Sequence, residues 1–171
     1  MPTAPRNSVA FTVVVAVSVG VGALLTVVVL ALSGAPGTVM LATGLAALPV
    51  GPVIAAFLWL DRYEPEPKGL LLSGLAWGAF VATVVAVVVQ GLGGLLVGFS
   101  DTFSLAIGAP VVEEASKGLF LLLLLWWRRA EVDGVLDGIV YAGMVGVGFA
   151  FTENILYLAA AHNGTDAMGP G

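Results

Sequence analysis

Long apolar runs dominate this sequence, and short segments rich in Gly, Pro or charge separate them. A helix needs about 20 mostly apolar residues to cross the hydrocarbon core of a bilayer. Five runs reach that length, so the pattern predicts an all-α, polytopic transmembrane helical bundle. The predicted spans cover about 9–32, 39–60, 69–91, 102–127 and 134–160. We expect residues 1–171 to form a single membrane domain.

Composition excludes several other classes of protein. Hydrophobic residues make up 59% of the chain and charged residues 10%, against roughly 25% charged residues in a soluble domain. The net charge of -5 argues against a nucleic-acid partner, whose phosphates require basic surfaces. Because the chain has no cysteine and one histidine, it has neither a thiolate zinc site nor an HExxH helix.

The basic residues predict the orientation of the bundle. If the N-terminus is cytoplasmic, the segments on the inner side hold Arg6, Arg62, Lys68, Arg128 and Arg129, and the outer segments hold no Lys or Arg. Cytoplasmic segments of membrane proteins are enriched in these two residues. We therefore predict a cytoplasmic N-terminus and an external C-terminal tail.

Three charged residues, Glu113, Glu114 and Lys117, interrupt the fourth predicted span. A charge at the centre of a membrane helix costs about 2.5–3.5 kcal/mol on insertion scales. Lys117 is three and four residues from the two glutamates, so its ammonium can reach either carboxylate. One lysine cannot neutralise both, so the second carboxylate needs a proton, a cation, water or a partner on another helix.

The fifth predicted span supplies such a partner in Glu153, which Asn154 follows. At a rise of about 1.5 Å per residue, Glu113 lies roughly 16 Å and Glu153 roughly 12 Å below the outer ends of their helices. A purely structural role is possible, but polar contacts between membrane helices contribute under about 2 kcal/mol each. We favour a functional polar site.

The other patterns predict packing and solvated ends. Stripes of small residues predict close helix contacts. They are Gly74, Gly78, Ala82 and Ala86 in the third span and Gly138, Ala142, Gly146 and Ala150 in the fifth. Asp133 and Asp137 are predicted to form a solvated cap at the start of the fifth helix. Solvated loops are predicted for Asp61, Glu64, Glu66 and the single histidine, His162.

Several of these residues form motifs in a specific order. Residues 113–117 read EEASK, an EExxK motif, and residues 149–154 read FAFTEN, an FxxxE motif followed by Asn. DG pairs begin at Asp133 and Asp137, and DRYEPEP lies upstream at 61–67. From about 61 to 157, the chain resembles the PrsW family of intramembrane proteases. That family is related to the group containing the CAAX prenyl proteases and bacteriocin self-immunity proteins.

The resemblance implies a multi-pass protease of the bacterial plasma membrane that cleaves a membrane-bound protein, such as an anti-sigma factor. It also implies a divalent metal such as zinc, with Glu113, Glu114 and Glu153 as the candidate ligands. The family's third motif is a histidine on a later helix. Residues 162–166 formally spell HxxxD but lack the expected apolar context, so we expect His162 not to bind metal and the chain to be an incomplete member.

If the protein is such a protease, each polar residue has a candidate role in peptide hydrolysis. Glu113 or Glu114 is the candidate general base on water, and the other carboxylate, with Glu153, binds a metal or shares a proton. Lys117 keeps one glutamate ionised, and Asn154 donates a hydrogen bond to the developing oxyanion. Three glutamates are a poor zinc site, so a metal-free mechanism stays open.

Two other functions remain open from the sequence. Intramembrane carboxylates and lysines also serve proton- or ion-coupled transporters, although the paired halves typical of transporters are not visible in this sequence. A non-enzymatic membrane adaptor or immunity protein would retain the glutamates as structural residues.

Overall fold

The computed structural model describes residues 5–33, 35–97 and 107–168, and within them the chain is an all-helical bundle without strands. The predicted fold class is therefore confirmed. The longer helices are α1 (Pro5–Ser33), α2 (Pro36–Asp61), α5 (Ala109–Trp127) and α6 (Val135–Met168). Between α2 and α5, helix α3 (Lys68–Ala76) continues through a π-helical turn (Trp77–Ala82) into α4 (Thr83–Val97). A short 3-10 turn (Arg129–Glu131) precedes α6.

Four helical segments of the described residues are long and apolar enough to cross a membrane. They are Val9–Leu32, Pro36–Asp61, Lys68–Gly93 and Val135–His162, which correspond to the first, second, third and fifth predicted spans. Helix α5 is not among them, because its 19 residues include three charged ones. The beginning of the fourth predicted span, at 102–106, lies outside the described residues. The count of five spans and the cytoplasmic N-terminus stay predictions.

Helix α6 lies at the centre of the bundle and packs against α2, α3, the π-helical turn and α5. Aromatic side chains from three helices fill the adjoining core: the Phe120 ring lies 6.0 Å from that of Phe11 and 5.9 Å from that of Trp77. The outer faces of α1 and α2 expose many large apolar side chains, as contact with lipid requires.

Glycines allow α6 to approach the helix of the third span closely. The predicted stripe from Gly74 to Ala86 is buried in full, and a Cβ on Gly78 would overlap the backbone of α6 at Val145. The stripe predicted on α6 is wrong, because Gly138 and Gly146 have open space at their Cβ positions and both alanines of the stripe are exposed. Helix α6 is rotated so that Gly148 makes the close contact instead.

The first turn of α6 and the loop before α3 form a buried polar junction. Asp137 is 2% exposed, and its Oδ2 accepts hydrogen bonds from the backbone N–H groups of Asp133 at 3.0 Å and Gly134 at 2.8 Å. The Tyr141 hydroxyl donates to Glu66 Oε2 at 2.6 Å. The predicted solvated position of Asp137 is therefore wrong, because the loop before α3 packs against the start of α6 and buries this carboxylate. Glu66 lies in that loop as predicted, but it is half-buried rather than fully solvated.

This junction predicts a pH-dependent stability. Burial raises the pKa of the Glu66 carboxyl above its ordinary value of 4.5, and the carboxylates of Asp137 and Glu131 raise it further, while the Tyr141 hydrogen bond lowers it. Because this pKa is higher in the folded state, the stabilisation is complete below pH 4.5 and is lost as the pH rises through the folded-state pKa. The variant Glu66→Gln keeps an acceptor for Tyr141 and should avoid that loss.

Thermal unfolding in detergent between pH 4 and pH 8 measures the effect. We expect the Tm of Glu66→Gln to equal that of the wild type at the acid end and to exceed it increasingly as the pH rises. Glu64→Gln is the matched control, because Glu64 lies in the same loop but is exposed. A constant difference in Tm across this range would contradict the assignment.

Candidate active site

The three charged residues of the EEASK motif lie on α5, one turn or less apart. Lys117 Nζ pairs with Glu114 Oε1 at 2.7 Å. The sequence allowed Lys117 to pair with either glutamate, and in the structure its partner is the one three residues away. The Glu114 side chain is 75% exposed and the Lys117 side chain 20%. The lysine ammonium also lies 4.1 Å from the ring centroid of Phe149 on α6, a cation–π contact that holds the two helices together.

Glu113, the first residue of the same motif, is partly buried. Its Oε1 accepts a hydrogen bond from Gln90 Nε2 of α4 at 3.4 Å. Gln90 was not among the predicted site residues. The available signal was an isolated amide in an otherwise apolar span.

Glu153 of α6 completes the cluster. It is close enough to Glu113 and Lys117 to interact with both electrostatically, and Tyr157 lies beside it one turn further along α6. The prediction that the two charged helices are neighbours is confirmed. The expected separation of a few ångströms between Glu153 and the Glu113–Glu114 region stays a prediction. Tyr157 is a second residue that sequence reasoning missed, and its signal was the four-residue spacing from Glu153, which places both side chains on one helix face.

Asn154 is not brought to this cluster. It lines a cavity of about 350 Å³ on the α2 side of α6, together with Pro49, Phe57 and Gly143. Because consecutive helix residues point about 100° apart, Glu153 faces α5 while Asn154 faces α2. The geometry therefore gives no support to the predicted contact of Asn154 with a developing oxyanion.

His162 also lies away from the carboxylates. The predicted loop is wrong, because α6 continues to Met168 and His162 lines a cavity against the first turns of α2. A single glycine such as Gly164 costs a helix only about 1 kcal/mol relative to alanine, which does not end it. Nine residues separate His162 from Glu153, or roughly 13 Å along the helix axis.

The π-helical turn fixes the position of α5. Trp77 Nε1 donates to the backbone oxygen of Ser116 at 3.1 Å and so ties α5 to this turn. The Ser116 hydroxyl donates within α5 to the backbone oxygen of Glu113 at 2.9 Å and lies 3.4 Å from that of Ala82. Thr83 Oγ1 donates to the backbone oxygen of Gly78 at 3.1 Å within the widened turn. Since Ser116 lies inside the EEASK motif, the bond from Trp77 helps to set the rotation of α5 that directs Glu113 and Lys117 toward α6.

The described residues do not form a metal site. No group of three or more His, Cys, Asp or Glu side chains among them is arranged to hold a metal ion. The chemistry of the donors agrees, because Glu114 is paired with Lys117, and a catalytic zinc site normally has three protein ligands.

The fold and the cluster define a polytopic membrane protein with a carboxylate site between two of its helices. The model of the family described as "PrsW family intramembrane metalloprotease" matches residues 66–170, which is more than half of the chain. The chain belongs to this family. The match includes α5, α6 and every residue of the cluster.

Curated relatives agree with this assignment. The chain is 31% identical over 114 residues to Protease PrsW of Bacillus subtilis (strain 168), covering 66% of this chain and 52% of the relative. It is 31% identical over 111 residues to Protease PrsW of Geobacillus kaustophilus (strain HTA426), covering 64% and 49%. It is 30% identical over 117 residues to Protease PrsW of Clostridioides difficile (strain 630), covering 65% and 49%.

The alignments thus span about half the length of these relatives. No solved structure matches the chain significantly.

Proposed function

We propose that this protein is an intramembrane protease that hydrolyses a peptide bond of a membrane-bound protein. The observation on which the proposal rests is that Glu153 of α6 lies near enough to Glu113 and Lys117 of the adjacent helix α5 to interact with both electrostatically. Membership of the PrsW family and the name of the relatives support proteolysis. We further propose the bacterial plasma membrane as its location and an anti-sigma-factor-like protein as its substrate.

Glu113 is the best placed general base. Its carboxylate is partly buried, oriented by Gln90 and electrostatically coupled to Glu153, whereas Glu114 is exposed and paired with Lys117. Two coupled carboxylates near one ammonium can hold a proton between them, so one can act as base while the other acts as acid.

In the proposed reaction, the Glu113 carboxylate takes a proton from a water molecule, whose oxygen attacks the peptide carbonyl carbon. Protonated Glu153 then transfers its proton to the departing amine nitrogen as the C–N bond breaks. Tyr157, one turn beyond Glu153 on the same face of α6, is positioned to hold that carboxyl group in place. Lys117 stabilises the negative charge that remains on the glutamates.

Reconstitution tests this function. The protein expressed from its complete gene is placed in liposomes with a single-span membrane protein bearing an anti-sigma-factor-like domain, and the products are identified by mass spectrometry. We expect a cut within or beside the membrane span. An intact substrate, together with proton or ion flux that depends on Glu113, would replace the protease proposal with a transporter.

A further inference from the structure

A groove separates α1 from α3 on the outside of the bundle, away from the carboxylate cluster. Its volume is about 370 Å³, and its walls are mostly apolar. The wall residues include Phe11, Val15 and Val19 of α1 and Leu70, Leu72 and Ala76 of α3. The hydroxyl of Ser73 in the same wall donates to the backbone oxygen of Leu70 at 2.8 Å, so it is satisfied within its own helix.

The two ends of this groove differ. Beyond Val19, the helices cross at Gly22, where a Cβ would lie 2.9 Å from the backbone of Phe80, and this contact closes the groove. At the other end, the Arg128 side chain lines the groove with its guanidinium carbon 5.9 Å from the ring centroid of Phe11. That end is on the side that the basic residues predict to be cytoplasmic.

The length of the groove fits an acyl chain. From Phe11 to Val19 the groove is roughly 12 Å long, close to the thickness of one hydrocarbon leaflet, about 15 Å. A groove that is open at the interface and closed near the middle of the bilayer matches a single lipid chain.

The charge at the open end fits a lipid phosphate. Arg128 Nη1 has one long contact, to Glu131 Oε1 at 3.5 Å, and Arg128 Nε is buried without a hydrogen-bond acceptor among the described residues. An unsatisfied buried donor is unfavourable, and a guanidinium binds phosphate with two parallel hydrogen bonds. Basic pockets between helices on the cytoplasmic side commonly bind lipid headgroups.

We propose that this groove binds one phospholipid of the cytoplasmic leaflet, with an acyl chain between α1 and α3 and its phosphate on Arg128. Turning the guanidinium toward the mouth of the groove gives Nε the acceptor that it lacks. The bound lipid fills the space between α1 and α3, and the site is independent of the carboxylates that we assign to proteolysis.

Native mass spectrometry of detergent-purified protein tests the proposal, with phosphatidylglycerol as the probe and diacylglycerol, which lacks the phosphate, as its counterpart. We expect phosphatidylglycerol to be retained and diacylglycerol not. Arg128→Gln should weaken retention roughly tenfold. Arg129→Gln is the matched control, because this neighbouring cation is exposed and does not line the groove.

A second variant tests the groove without altering Arg128. Ala16 lines it, so Ala16→Trp should expel the acyl chain. Ala47→Trp fills a comparable apolar cavity of about 340 Å³ that has no charged residue in its wall, and it should leave phosphatidylglycerol bound. Equal retention in all four variants, or loss in Arg128→Gln but not in Ala16→Trp, would overturn the proposal.

Photo-crosslinking identifies the occupant in the cell membrane. A photoreactive amino acid at position 16 should capture phospholipid. Capture of a protein chain alone would mean that the groove docks another protein and would also overturn the proposal.

Discussion

Glu113→Gln and Glu153→Gln should each lower the rate of substrate cleavage by roughly 10²–10⁴-fold while the bundle stays folded. An amide cannot accept the proton of the attacking water or return it to the amine, so replacing either carboxylate removes a step of the reaction. Gln keeps the shape of Glu and removes a charge that is costly in lipid, so thermal stability should be equal or higher.

Glu114→Gln should lower the rate for a different reason. Glu114 neutralises Lys117 across 2.7 Å, and without it the ammonium is released to pair with Glu113, four residues away. That pairing would make the proposed base less able to accept a proton.

The measurement is the initial rate of cleavage in liposomes at matched protein content, with the Tm recorded for each variant. Glu64→Gln serves as the control for a carboxylate outside the cluster, since Glu64 is exposed in the loop before α3, and it should cleave at the wild-type rate. Wild-type rates in all the cluster variants would show that these carboxylates are structural and would remove the basis of the protease proposal.

The sequence predicted those features of the fold that depend only on the local sequence. The length of each apolar run predicted the helices, and the helical spacing of Glu113, Glu114 and Lys117 placed both carboxylates within reach of one ammonium. The antiparallel arrangement of the last two helices also predicted that Glu153 would lie near Glu113. These inferences need only the rise and the period of an α-helix.

The rotation of each helix about its own axis was not predictable in the same way. It decides that Asn154 faces α2, that Asp137 is buried, and that Gly148 rather than Gly146 meets the third span. Several small residues occur on different faces of α6, and only the shape of the neighbouring helix selects among them. Gln90 was missed for a similar reason, because its partner is on a different helix.

The contact at Gly148 gives the largest expected effect on stability. A Cβ on this residue would overlap the backbone oxygen of Leu75 and lie 2.9 Å from the backbone nitrogen of Ala79. Backbone atoms cannot move aside as the end of a flexible side chain can, so α6 must shift away from α3. We expect Gly148→Ala to lower the free energy of unfolding by about 3 kcal/mol, the upper part of the usual range for overpacking.

Gly146→Ala is the matched control, because it makes the same substitution half a turn away, where the Cβ meets nothing within 4 Å. Since alanine favours a helix over glycine by about 1 kcal/mol, this variant should be as stable as the wild type or more stable. Reversible unfolding in detergent gives both values. Equal stability of the two variants would contradict the close contact between α3 and α6.

The same substitution connects packing with the site. Glu153 lies five residues beyond Gly148 on α6, whereas Glu113 is on α5, which the hydrogen bond from Trp77 to Ser116 holds against the π-helical turn. A shift of α6 away from α3 therefore moves one proposed catalytic carboxylate relative to the other. We expect Gly148→Ala to lose cleavage even at temperatures where it remains folded, and Gly146→Ala to retain it. Wild-type cleavage by folded Gly148→Ala would mean that the spacing of the two carboxylates does not depend on this contact.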